Sequence, residues 1–339
     1  MKLMADERLK KLSSVFQGMY SHTERPSIPP ERILKSLLLI ALYSVRSERQ
    51  FLEQLDYNLL FPLFLDMNLT EEGFDATVFT KNRERLMEHE VGRLFFDAVL
   101  KRARAGNLIS DKHFTVDGTL IEAWASLKSF HSKGENSSDC PADGDPGNPT
   151  VAFRGEKKSN QTHVCTTDPE SRLMRKGLGR EAKLCYAAHA LMVNRNGLLV
   201  DLMVSSATAK AKEEAAQWML KRQAHRGVKP KTLCAHKGYD HAGFVCMLRE
   251  RKIIPHVAAN RERRGGSAID GRTMRHQGYT LRQRVRKRVE EFFAWMKTTG
   301  GFRKRRFKGN RKTQLAAWLV GTAYNILRMA KLLPEGAGV

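Results

Sequence analysis

Apolar and polar positions alternate in two different regimes along the chain. Up to about residue 105 the spacing is helical throughout. Behind Pro29 and Pro30, the apolar positions Ile33, Leu34, Leu37, Leu38, Ile40 and Ala41 predict a helix opening at Glu31. Ser47 and Gln50 have the spacing of a capping box for a second helix through Phe51, Leu52 and Leu55. The tight junction at 45–47 is compatible with a helix-turn-helix and with a plain packed helix pair. Further helices are predicted at about 77–86 and 90–105, with Gly106 as the stop.

The period then shortens. HFTVDGTLIEAWAS, residues 113–126, has the aromatic and β-branched content of a half-buried strand around one carboxylate, Asp117. From 131 to about 183 Gly, Pro, Ser, Asn and charge dominate, which predicts a flexible insertion. Residues 182–208 form two apolar runs joined by Asn194, Arg195, Asn196 and Gly197, a strong hairpin signal. A helix at about 210–225, a strand at 232–235, a helix at 241–251 and a strand at 252–257 follow. A basic loop then leads into one long helix starting near Leu281. The expected fold is α/β: a mixed sheet flanked by helices over 107–330, after an all-helical domain at 1–106 and before a short tail at 331–339.

Charge narrows the class of partner. Lys and Arg number 59 against 36 Asp and Glu, a formal charge of +23 and a pI near 10.0, so a polyanion is expected, nucleic acid first. The longest apolar run, Leu37 to Tyr43, is too short to span a bilayer, and Asp6 and Glu7 interrupt any signal-like core near the start. A cytoplasmic location and no membrane partner are the resulting expectations. The five cysteines show no CxxC pair, which predicts reduced thiols.

Asp117 has two readings, a turn acid bonded to nearby backbone or a metal-ligating carboxylate that needs partners from elsewhere in the chain. Glu290 raises the same choice. It lies beside the apolar stripe of Val285, Val289, Phe292, Phe293 and Met296, with Arg286 one turn before it and Lys297 two turns after. An exposed ion-pair network is one account of that face. The run from Arg282 to Lys312, thirteen Lys and Arg against Glu290 and Glu291, suits a phosphate backbone better.

These residues, together with RPSIPPERILKSLLL, TVFTKNRERL, LCYAAHALMVNRNGL, HKGYD and QRVRKRVEEFFAWMKTTGGFRKRRFKG, resemble bacterial insertion-sequence transposases of the DDE type, in the IS-four/IS-five-like group. The resemblance spans nearly the whole chain. It implies a ribonuclease-H-like catalytic domain with a carboxylate triad holding two divalent ions, magnesium or manganese. It also implies a helical DNA-binding domain, double-stranded DNA as substrate at the element ends and the target, subunits paired on DNA, and work at the nucleoid. Asp117 matches the first acid and Glu290 the third. The family's tyrosine, arginine, glutamate, lysine signature falls on Gln283, Arg286, Glu290 and Lys297, so the tyrosine position departs from it. Arg286 and Lys297, with Arg303, Lys304, Arg305 and Arg306, are the expected DNA contacts.

Relatives carry an Asp ahead of the Lys-Gly/Ala-Tyr-Asp run, whereas CAHKGYD puts His236 there. A neutral imidazole is a poor ligand for a hard cation and removes a negative charge from the site. Three outcomes stay open at this point: His236 binds a softer metal such as manganese, Asp240 reaches in, or the copy has lost activity. The last makes the chain a DNA-end-binding protein or a repressor of transposition. Trp124 and Trp295 are each either core residues or stacking platforms for a base.

Overall fold

The computed structural model describes residues 1–19, 28–68, 70–133, 151–153, 156–177, 179–304 and 307–333. They fall into two units. The helical unit takes Met1–Ile109, Ala294–Phe302 and Leu315–Val339, and the sheet unit takes Ser110–Phe293 and Arg303–Gln314. The segments 294–302 and 315–330, which periodicity assigns to the sheet domain, thus group with the N-terminal helices.

The helical unit contains α1 (Lys2–Lys10), α2 (Ser13–Gln17), α3 (Pro30–Leu42), α4 (Glu48–Leu55), α5 (Leu60–Leu65), α6 (Ala76–Glu88) and α7 (Val91–Ala105). Pro30 opens α3, whose buried face includes Ile33, Leu34, Leu37 and Leu38. Ser47 caps α4 by accepting the Gln50 N–H, and the Gln50 side chain accepts from the Arg46 N–H, so the box closes one residue earlier than the standard form. In the buried interior of this unit Phe51 stacks on Phe61 and meets Phe79 at a tilt. Lys35 is buried and ion-paired to Asp6 and Asp66.

The sheet unit begins with β1 (His113–Glu122), β2 (Phe130–Ser132), β3 (Val151–Phe153), β4 (Glu156–Lys158), β5 (His163–Cys165) and β6 (Arg172–Arg175). There follow β7 (Ala182–Val193), β8 (Leu199–Ser206), α8 (Ala211–His225), β9 (Thr232–Ala235), α9 (Ala242–Glu250), β10 (Ile254–Val257), α10 (Gly271–Arg275) and α11 (Gln277–Val285). Two further helices, α12 (Arg288–Lys297) and α13 (Asn310–Leu332), carry the chain from this unit into the helical one.

β1 is the central strand. On one side it pairs antiparallel with β7, which pairs antiparallel with β8; on the other it runs parallel to β9, and β9 parallel to β10. This β8-β7-β1-β9-β10 order, antiparallel on one flank and parallel on the other, is the ribonuclease-H-like arrangement. Phe114, Val116 and Ile121 of β1 are fully buried, as a strand with neighbours on both edges requires. The β7–β8 hairpin turns at the expected place, with Gly197 at φ 68° supplying the left-handed residue.

Two expectations change. The stretch 131–183 lies partly outside the described residues, and its described part is not structureless. β2 pairs with β5, β3 with β4, and β6 joins the main sheet beside β7, because short apolar runs such as Leu173-Met174 have a strand edge to pair with. The single long helix from Leu281 is instead three helices. α11 stops at Val285, where Lys287 and Glu290 take three-residue backbone bonds across the break. α12 ends before Gly300 and Gly301, the latter at φ 62°, and α13 starts afresh.

Candidate functional site

The sheet register brings two of the expected residues together. Val116 of β1 is the parallel partner of Ala235 of β9. Asp117 is the next residue on β1 and His236 the first residue past β9, so they stand side by side where the β9 pairing ends. Half-buried, Asp117 has its carboxyl pushed above the ordinary value by burial, against the pull of the Gly118 N–H, Lys212, His236 and Arg286. His236 is pushed below its ordinary value by burial, with Asp117 and Glu290 acting against the shift and Arg286 and Lys212 adding to it. Glu290 and Asp117 thus both lie within electrostatic reach of one ring. Glu290 itself is exposed, and Arg286 Nη1 donates to its Oε1 at 3.2 Å. The Arg286 side chain is almost covered, and its Nε has no hydrogen-bond partner among the described residues.

His236 also caps the short turn Lys237–Tyr239: its Nδ1 accepts the Gly238 N–H at 3.2 Å. An accepting Nδ1 leaves the proton of the neutral ring on Nε2. Such a ring offers the site an N–H donor and no lone pair. An aspartate would cap the turn with one oxygen and keep the other for a cation.

Asp240 does not take over the vacant role. Its Oδ2 accepts from the Asn260 N–H at 2.6 Å and its Oδ1 from the Ala268 N–H at 2.9 Å, while its carbonyl holds Arg263. The side chain is buried under the loop it staples. With His236 committed to its cap and Glu290 to Arg286, among the described residues no group of three or more His, Cys, Asp or Glu is arranged to hold a metal ion. The residues present therefore do not fit the two-ion site expected at Asp117, His236 and Glu290.

The other expected contacts separate. Lys297 lies seven residues past Glu290 on α12 and is half-buried. Arg303 and Lys304 are exposed and join the end of β1: the Glu122 N–H donates to the Arg303 carbonyl, and Lys304 Nζ stands 5.0 Å from the Trp124 ring centre. Arg305 and Arg306 lie outside the described residues. Trp295 packs against Tyr324, ring centres 5.5 Å apart, whereas Trp124 is 45% exposed.

Two site residues escaped sequence analysis. Lys212, in the first turn of α8, is exposed and acts through its charge on Asp117, His189 and His236. Nothing local in AKAKEEAAQ distinguishes it from a solvated lysine. Tyr239 is buried, with no partner for its hydroxyl among the described residues, and burial and the charges of Asp117 and Glu213 push it well above its ordinary value. The HKGYD run was its only signal.

Comparison with known proteins matches residues 2–85 to the family model "Transposase domain (DUF772)" and residues 157–326 to "Transposase DDE domain". The second match covers half of the chain. This chain belongs to the DDE transposase family. Membership implies dependence on divalent metal in general. No curated protein matches the chain significantly. Among solved structures, the crystal structure of a pre-cleavage Mos1 transpososome matches at 8% identity and a TM-score of 0.22, over 92% of this chain and 80% of that one. Among the described residues no helix is long and apolar enough to cross a membrane.

Proposed function

We propose that this transposase, of the IS-four/IS-five-like group, binds double-stranded DNA at the ends of an insertion sequence. In this copy cleavage and strand transfer are weakened or lost because His236 stands at the second acid position. The observation that carries this reading is the β1–β9 register, which sets Asp117 beside position 236. In-line phosphoryl transfer at such a site relies on oxygen ligands for hard cations. Asp117 and Glu290 are the first and third acids of the reading, and Arg286, Lys297, Arg303, Lys304, Arg305 and Arg306 its DNA contacts. The formal charge of +23 supports a phosphate-rich partner. Subunits pair on two ends, in the cytoplasm at the nucleoid.

The second reading, an end-binding protein or repressor without cleavage, is favoured by the tautomer that the Gly238 N–H imposes on His236. Duplexes carrying the flanking inverted repeats decide between them in two measurements. Band shifts at rising salt are expected to show binding that favours the repeat over a shuffled duplex and weakens steeply. Incubation with manganese is expected to give faint nicking at most. Equal affinity for the shuffled duplex refutes end recognition, and robust cleavage in magnesium refutes the role given to His236.

A further inference from the structure

Helix α5 is apolar on every side. From Tyr57 to Leu65 the chain reads YNLLFPLFL, without a single charge. Phe61, Pro62, Phe64 and Leu65 form the inward side and are buried. Leu60 and Leu63 share the outward side, one turn apart, and Leu59 stands at the helix start. All three are exposed, Leu59 at 69% and Leu63 at 65%. Tyr57, in the turn before α5, is 71% exposed. Tyr43, at the end of α3, is half-exposed and packs edge-on against Phe61, with 5.3 Å between ring centres. A helix that is apolar all round is ordinarily covered all round. Taking about 200 Å² per large side chain, these five present about 600 Å² of apolar surface, the upper end of what one patch on a soluble monomer exposes.

The charge around this face is the reverse of the chain's. Residues 47–75 hold seven Asp and Glu against Arg49 alone, a local balance of −6 within a chain of +23. Glu53 and Asp56, which lead into the patch from α4, are exposed. Such a face repels a phosphate backbone and an anionic membrane surface alike. It suits a positively charged body, and a second copy of this chain is one. Two chains of +23 repel over most of their surfaces, whereas contact here sets negative charge between the two positive bodies. Two such patches pressed together remove about 1,200 Å² from water, the area at which specific interfaces begin.

We propose that the outward face of α5, with Tyr43 and Tyr57, is where two copies of this transposase join, through the same patch on each. The inference rests on the reading of subunits that pair on two DNA ends, and it names the surface that pairs them. The basic surfaces of both copies stay free for DNA.

Sedimentation velocity of the full-length protein without DNA tests this. The native chain is expected to dimerise in the micromolar range and to stay dimeric in salt that strips it from a duplex, because the contact is apolar. The double substitution Leu59→Asp with Leu63→Asp, both at exposed positions, is expected to raise the dimer midpoint by roughly tenfold or more. Its circular dichroism and melting temperature should match those of the native chain. Should that variant unfold, Tyr57→Asp, at the most exposed position of the face, carries the same expectation. A native chain that stays monomeric at every concentration assigns the face to another occupant and overturns the proposal. Dissociation in high salt overturns it as well, since the contact would then be ionic.

The two failures are distinguishable. Dimers that persist in the folded variants refute this face, while pairing and end binding stand. Dimers that the substitutions abolish, in a chain that binds no duplex, keep this surface and refute the functional reading.

Discussion

Gly118 and His189 face one another across the β1–β7 ladder so closely that a methyl group on Gly118 would lie 2.7 Å from His189 Nδ1. His189 is fully buried, its Nε2 bonded to Ser205 Oγ at 3.0 Å, and burial holds it neutral with a pKa lowered to about 3. Gly118→Ala is expected to destabilise the protein by about 1–3 kcal/mol through overpacking. Adding His189→Ala should recover part of that loss, and urea titration of the four variants of the cycle measures it. Strictly additive losses would show that the two positions do not press on each other.

Asp117 is held at the cost of fold stability. Its folded-state pKa is raised, so its ionised form is disfavoured in the native state. That penalty is absent below the unfolded value and grows as pH rises through the folded one. Asp117→Asn should therefore raise the melting temperature at pH 7, and the gain should vanish in acid below the unfolded carboxylate range. A gain of 1 kcal/mol would appear as about 1–2 °C for a chain of this length. A melting temperature that falls at pH 7 would mean that the carboxylate is better compensated than its surroundings indicate.

Acid should unfold the sheet unit in a way that histidines explain. His256 is buried under Tyr279, ring centres 5.6 Å apart, and burial with the nearby Arg282 lowers its pKa to about 4. With folded values below the unfolded one, His256 and His189 lend stability above the ordinary histidine range that is lost as pH falls towards 4 and then 3. Stability measured by urea titration should decline below about pH 6.5, and less steeply in His256→Asn. Identical pH profiles for the two proteins would contradict the assignment.

Asp240 staples the loop over residues 258–270. Asp240→Ala leaves the Asn260 and Ala268 N–H groups without their acceptor, an expected loss of about 2–6 kcal/mol by the scale of about 1–3 per unsatisfied group. Trypsin should then cut at Arg261, Arg263 or Arg264 far faster than in the native chain. Asp240→Asn, which keeps one oxygen, should fall between the two. Unchanged proteolysis would show that the loop is held by other contacts.

Much of the architecture was legible because its signals are local. The Pro29-Pro30 start, the Ser47 cap, the Asn196-Gly197 turn and the Asp117 strand each declare themselves within a few residues. The family resemblance supplied the rest of the topology, since no period in the sequence says that β9 runs parallel to β1. The breaks at 286–287 and 298–301 were missed because helix-forming residues run through the first and the second needs only a glycine pair. Lys212 was illegible, for it joins the site through the return of α8 from β8 and not through any motif. Asp240 was the opposite case: the residue type allowed a ligand, and only the hydrogen bonds to Asn260 and Ala268 show it to be spent on a loop.

The most direct test of the central claim is the cleavage rate of an end-containing duplex by the native protein and by His236→Asp, side by side in magnesium. If position 236 completes a carboxylate set with Asp117 and Glu290, the substitution should raise cleavage by a large factor, at least tenfold, and Asp117→Asn in the same background should abolish the gain. Cleavage by the native chain that is already fast in magnesium and unimproved by His236→Asp would contradict the account.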